Sequence, residues 1–405
     1  MDATHASSEH PREFPWVPLL VLATLTFTFV TSEFLPTGLL PEISHELGVS
    51  ESQVGYLITL FAATVVITTA PLTSLTLKHS RKSLMIVLIL LFVVANLLAA
   101  AAPNYFVLAI ARVMGGLAHG LFWSVVGAYT AGLVPRHQIG RAVAITGGGA
   151  TAAFILGVPV GTLLGHALGW RLAFVAIAVI VLVLMVLIIR FLPPIQHLEK
   201  LATGEIPLPM RKDRSVPGVI VVCAIVTIVI LGQNTFYTYI AVFLISPVGI
   251  APGSVAGILF LYGAAGAIGL ALAGTLSDRF PRSAFVVIIG VVAISVLAIG
   301  LFPHVQWVVI AAIVAWGIGF GGAPAMMQAR MLRTASPRVR DLASAYLTTS
   351  FNFAIGAGAL LGGLLLDRVG IGVLPFVNVA LVLVGVAVVI VSDAWLRRRE
   401  ANRLR

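Results

Sequence analysis

The chain alternates between long apolar runs and short polar breaks. Twelve runs can be read, at about 16–41, 52–77, 83–102, 105–134, 142–168, 172–189, 216–245, 253–277, 283–302, 305–329, 342–366 and 371–391. Each reaches or closely approaches the roughly 20 residues that carry a helix across a 30 Å hydrocarbon core. Many contain Gly and Pro, which spanning helices tolerate when neighbouring helices cover the backbone. The pattern predicts an all-α membrane protein of twelve spanning helices. One polar break is far longer than the rest, residues 190–215, with Pro193, Pro194, Glu199, Lys200, Pro207, Pro209 and a charged end at Arg211 and Lys212. It divides six runs from six. The expected organisation is a leader over 1–15, a six-helix bundle over 16–192, a linker over 193–215, a second six-helix bundle over 216–392 and a basic tail over 393–405.

Composition supports this class. Hydrophobic residues make up 59% of the chain and charged residues 10%, against roughly 25% charged in a soluble domain. A net charge of +10 would suit a nucleic-acid partner, but the positions of the charges exclude one. If the runs alternate in direction, all 25 Lys and Arg except Arg112, Arg171 and Arg368 fall on the side of the N-terminus. That bias is the positive-inside pattern, and it places both termini in the cytoplasm. The leader has one Arg against three acids, and the run after it is too long for an h-region, so a cleaved signal peptide is not expected. Cys223 is the single cysteine, which excludes an internal disulfide and reads as a packing residue. There is no His-Glu-x-x-His or Gly-x-Ser-x-Gly pattern and no extramembrane segment long enough for a catalytic or output domain. Neither an enzyme nor a sensor is expected, and no cofactor or metal.

The two sets of six match at a constant offset of 201 residues. Leu75 pairs with Leu276, Arg81 with Arg282, Gly116 with Gly317, Gly120 with Gly321, Gly157 with Gly358, Gly161 with Gly362 and Gly169 with Gly370. Several segments carry motifs as well. Gly274-Thr-Leu-Ser-Asp278-Arg279-Phe-Pro-Arg282 resembles the G-x-L-x-D-R-x-x-R loop of the major facilitator superfamily, with a degraded first-half copy in which Leu77 replaces the acid. Arg112-Val-Met-Gly-Gly-Leu-Ala-His-Gly120 resembles the fourth-helix motif, and Gly157-Val-Pro159-Val-Gly161 the fifth-helix Gly-Pro motif associated with proton-driven exporters. Thr31–Pro41, Ala118–Ser124, Gly169-Trp-Arg171 and Phe351–Gly356 are similar to the sugar-efflux and arabinose-efflux branch of the drug:proton antiporters. The resemblance implies the major facilitator fold, two six-helix parallel-repeat halves around a midplane cavity lined by helices one, four, seven and ten. It also implies a monomer in a bacterial inner membrane, exporting small neutral or amphipathic molecules against protons.

Glu33 is the one carboxylate inside any apolar run. A charge at membrane depth costs several kcal/mol unless paired, solvated or neutralised, so such a residue points to function. Its repeat partner is Asn234; those of Arg112 and His119 are Ile313 and Phe320. The charged chemistry therefore belongs to the first half. Glu33 and Arg112 lie at matching depth, roughly 11–12 Å below the same helix ends at 1.5 Å per residue, so they can meet or share a water. Attraction to Arg112 favours the carboxylate and loss of water favours the acid, a balance suited to loading and releasing a proton. The alternative is a fixed structural pair. His119, seven residues after Arg112 and on nearly the same face, either joins a proton relay or bonds a neighbouring helix. Gln233, Asn234, Tyr237 and Tyr239 form a polar patch that either contacts substrate hydroxyls or bonds other helices. Asn352 has the same two readings. Phe34, Phe122 and Trp123 are candidates for an apolar wall against substrate, with lipid-facing packing the alternative for the last two. Gly157, Pro159 and Gly161 suit close packing and a kink that bears on gating, and Asp278, Arg279 and Arg282 an ion-pair latch. Proton-coupled uptake on the same scaffold is the rival function, and a nucleoside-specific or antibiotic-specific exporter is the other alternative.

Overall fold

A segment without water around it must satisfy its main chain internally, and these apolar runs do so as helices. The computed structural model describes residues 14–76, 79–135, 138–193, 213, 215–280, 283–336 and 339–403, with the side chains of 277, 278, 340, 341 and 394–403 outside that description. Most of the expected leader and linker, much of the tail, the Asp278 side chain and Arg282 therefore lie outside the described residues. The first half contains α1 (Trp16–Gly38), α2 (Leu40–Leu47), α3 (Glu51–Leu75), α4 (Arg81–Ala100), α5 (Tyr105–Leu133), α6 (Ile139–Ala152), a π-helical turn (Ala153–Gly157), α7 (Val158–Leu168) and α8 (Trp170–Phe191). The second contains α9 (Val216–Tyr237), α10 (Ile240–Ile245), α11 (Pro252–Arg279), α12 (Ala284–Leu301), α13 (Gln306–Gly321), α14 (Ala323–Thr334), α15 (Arg340–Arg368) and α16 (Leu374–Arg403). Among the described residues, 12 helical segments are long and apolar enough to span a membrane, and no strand occurs.

Breaks fall where the local chemistry dictates. Ser50 caps α3 in a capping box with Gln53, and Asn104 caps α5 through Val107 N. Pro159 has no N–H to give, and the π turn lies immediately before the Val158-Pro159 step. The positive-φ residues are Gly48, Gly169, Gly249 and Gly370 at φ 64, 90, 76 and 100 degrees. They form two pairs at the repeat offset, so the backbone repeats its left-handed turns as well as its helices.

Packing repeats too. Within the first half α1 lies on α6, α3 on α5, α4 on α5 and α4 on α8; within the second, α9 lies on α15, α11 on α13, α12 on α13 and α12 on α16. The halves touch along α3 with α15 and along α7 and the π turn with α11. Three hydrogen bonds join the halves among the described residues: Ser52 Oγ to Asp367 Oδ1 (2.5 Å), Tyr56 Oη to Asp367 Oδ2 (3.3 Å) and Thr59 Oγ1 to the Gly356 carbonyl (2.9 Å). Two of them end on Asp367 at the last turn of α15, on the face opposite that on which α1 begins and α16 ends.

Candidate functional site

Pro36 sits inside α1 and cannot donate to the Ser32 carbonyl one turn earlier. A carbonyl freed in this way inside apolar surroundings needs another donor. Arg112 of α5 supplies it: Nη1 donates to the Ser32 carbonyl at 3.0 Å and Nη2 to the Glu33 carbonyl at 2.9 Å. The guanidinium lies over the Phe61 ring, 4.3 Å from its centroid. Ser32 Oγ in turn donates to Asn96 Oδ1 at 2.8 Å, tying α1 to α4. Arg112 therefore grips the main chain of α1 rather than the Glu33 carboxylate. No ion pair within 4.0 Å joins the two side chains among the described residues, so of the two expected arrangements, contact or a shared water, direct contact is not the one seen. A small cavity bounded by Ser32, Phe61, Asn96, Arg112 and Phe174 lies beside it, and Arg112 Nε has no protein partner.

The carboxylate of Glu33 meets His119 instead. His119 Nε2 is 3.4 Å from Glu33 Oε2, and all three groups are nearly sealed, Glu33 4% exposed, Arg112 3% and His119 1%. Glu33 Oε1 has no hydrogen-bond partner among the described residues. Trp123, one turn beyond His119 on α5, donates its indole N–H to His119 Nε2 at 2.8 Å. So one face of α5 delivers a cation to the backbone of α1, an imidazole to its carboxylate and an indole to that imidazole.

The other predicted residues divide sharply. Phe122 is fully buried and stacks on Phe29 at 4.2 Å, which stacks on Phe92 at 3.8 Å. It packs the interior of the first half, and neither expected reading, cavity wall or lipid-facing side chain, describes it. Gln233 is held at both ends of its amide, donating to Tyr262 Oη and accepting from Trp316 Nε1, each at 2.9 Å. Its place is an interhelical bond inside the second half. Tyr239 likewise donates to the Ala359 carbonyl at 2.8 Å. Asn234 and Asn352 donate one turn back along their own helices, to the Ile230 and Thr348 carbonyls. Phe34 packs on Phe154 (4.8 Å), whose ring is 6.5 Å from that of Tyr237, linking the halves through aromatic contacts. Gly157 and Gly161 lie against Thr31 and Leu35 of α1. Arg279 ends α11 near the Phe280 ring, at 5.8 Å.

Sequence reasoning missed Pro36, Phe61, Asn96 and Phe154. Of these, only Pro36 left a readable signal, since a proline four residues after Ser32 orphans that carbonyl. The sequence model of the Major Facilitator Superfamily matches the chain twice, over residues 22–246 and 222–405. The chain belongs to that superfamily. It is similar to the probable sugar efflux transporter of Helicobacter pylori strain G27, 32% identical over 370 residues that cover 91% of this chain and 93% of that relative. The probable sugar efflux transporter of Mannheimia succiniciproducens is 28% identical over 363 residues, 90% of each chain. These relatives put the chain in the sugar-efflux branch that its motifs resemble, a family of transporters and not of enzymes. Among solved structures, a bacterial homologue of the human lysosomal transporter Spinster, inward-facing and occupied, superposes with a TM-score of 0.72 at 14% identity, covering 95% of this chain and 98% of that one. The unoccupied inward-facing form gives 0.68 at 16% identity over 94% and 95%. At that identity the likeness concerns the fold alone. The protein is a multi-pass membrane transporter acting on small molecules.

Proposed function

We propose that this chain exports a small neutral or amphipathic molecule in exchange for protons, by alternating access, with Glu33 as the proton carrier. The observation that supports this best is the state of the Glu33 carboxylate: buried, without a guanidinium on its oxygens, and with Oε1 lacking any hydrogen bond. An acid kept only for structure is expected to have its buried oxygens satisfied. The repeat supports the same assignment, because Asn234 stands at the equivalent position in the second half and cannot carry a proton.

Both termini are assigned to the cytoplasm by the bias of Lys and Arg, and the membrane is assigned as the inner membrane of a bacterial cell. The hydrogen bonds between halves near Asp367 support a conformer closed on the external side. In it Glu33 releases its proton inward and substrate enters from the cytoplasm. In the alternate conformer Glu33 reloads from outside and the substrate leaves. Gly157, Pro159, Gly161 and the π turn are assigned the pivot against α1. Asp278, Arg279 and Arg282 are assigned the cytoplasmic latch. The relatives' description as sugar efflux transporters supports a polyhydroxylated substrate. The unit is assigned as a monomer.

The test is transport by purified protein in proteoliposomes. Glu33→Gln is expected to abolish accumulation driven by a pH gradient while substrate counterflow persists; wild-type coupling in that variant would refute the carrier role. Export requires substrate to move opposite to the imposed proton flow. Movement with the protons would identify an uptake symporter.

A further inference from the structure

The bond from Trp123 to His119 has a consequence for where the proton resides. An indole N–H only donates, so His119 Nε2, 2.8 Å away, is the acceptor and carries no hydrogen. A neutral imidazole has one donor and one acceptor nitrogen, which puts the ring proton on Nδ1. Nε2 is also the nitrogen that faces Glu33 Oε2, at 3.4 Å. Passing a proton from Glu33 to His119 would break an O–H bond at Oε2 and form an N–H bond at Nε2. That step needs the lone pair already engaged by the indole.

The surroundings of the ring leave Glu33 as its one titratable neighbour in contact, among the described residues. From α1 it meets Glu33 and the Phe29 ring (5.9 Å), and from α3 the Phe61 ring (5.2 Å, edge-on). From its own helix it meets Phe122 (6.5 Å) and Trp123, while Arg112, two turns earlier, is spent on the carbonyls of α1. We propose that Trp123 is a positioning residue for proton carriage: it holds His119 neutral in the Nδ1–H form, so that the proton stays on Glu33 instead of passing into the imidazole. This rests on Glu33 being the carrier. The assignment replaces a substrate wall as the role of Trp123.

The test compares Trp123→Phe, which keeps an aromatic ring and removes the donor, in wild-type and His119→Phe backgrounds. With Nε2 freed, the proton on the Glu33–His119 pair gains a second acceptor and binds more tightly. The midpoint of the pH dependence of substrate-induced proton release is expected to rise by about one pH unit, a tenfold change and the worth of one hydrogen bond. In the His119→Phe background the same substitution is expected to leave the midpoint in place. An unmoved midpoint in the first background, or an equal shift in both, would overturn the proposal. A readout independent of coupling is nitrogen NMR of histidine-labelled protein, with the His119 signals assigned by their loss in His119→Phe. A protonated Nε2 in the otherwise unaltered protein would overturn the proposal even if Trp123→Phe fails to fold. If Glu33→Gln retains coupled transport, the carrier reading fails, and the NMR result still decides the tautomer on its own.

Discussion

Arg112 and Pro36 make sense only together. The guanidinium ends on two main-chain carbonyls of α1, one of which is free because a proline follows it by one turn. Two carbonyls side by side suit a planar fork better than a point charge, so Arg112→Lys is not conservative here. Arg112→Ala removes a buried cation's donors and leaves the Ser32 carbonyl orphaned, which is expected to cost about 1–3 kcal/mol. The measurement is the fall in melting temperature of the detergent-purified protein. Pro36→Ala restores an N–H for Ser32. In that background Arg112→Ala is expected to cost about 1 kcal/mol less, a non-additivity that a double-mutant cycle would read directly. Glu33 shows the complementary case: its unpartnered Oε1 makes Glu33→Gln nearly free for folding, so its effect is expected in coupling and not in melting temperature.

At the scale of elements, α1 and the α6–α7 helix run in parallel with glycines opposite bulkier side chains. Gly149 faces the Ala23 backbone, Gly157 faces Thr31, Gly161 faces Leu35 and Gly165 faces Leu39. The spacing of four residues keeps the seam on one face of each helix. A Cβ at Gly157 would sit 1.9 Å from Thr31 Oγ1, so Gly157→Ala must push the helices apart locally. About 1–3 kcal/mol of destabilisation is expected, largely relieved by adding Thr31→Ala. Gly148 meets nothing within 4 Å. Gly148→Ala is expected to be neutral or to stabilise by about 0.5–1 kcal/mol, because a helical glycine gives up more backbone freedom on folding. Thermal melting of the three variants side by side checks the seam.

For the whole molecule, the question is what must come apart for the halves to rock. Ser52 and Tyr56 of one half share the Asp367 carboxylate of the other, at the face opposite the termini. If transport needs that face to open, joining Ser52→Cys to Asp367→Cys by oxidation, in a Cys223→Ser background, should stop turnover. Reduction should restore it. Transport that continues in the crosslinked protein would show that these ends of α3 and α15 move together through the cycle. Asp367→Asn removes the charge and leaves one acceptor oxygen for the two hydroxyls, the other bond surviving only if the amide N–H donates to a hydroxyl oxygen. It is expected to raise the exchange rate a few-fold if opening this face limits turnover, and to leave substrate affinity unaltered.

Much of this was legible in the chain. Spans, the six-plus-six repeat and the solitary acid at membrane depth follow from local composition and spacing, and the branch of the family from the resemblance of its motifs. Hydrophobic length and the sign of flanking charge act residue by residue, and need no knowledge of neighbours. Partners were not legible in the same way. Phe122 and Trp123 are adjacent in sequence, yet one packs the interior beside Phe29 and the other bonds His119, because a 100° turn of the helix separates them. Gln233 resembles a substrate ligand until Tyr262 and Trp316 are seen to occupy its amide. Depth brought Arg112 near Glu33, but the choice between carboxylate and carbonyl depended on the rotation of α1, the break at Pro36 and the reach of a long side chain. Those are distances between helices, and only the tertiary structure sets them.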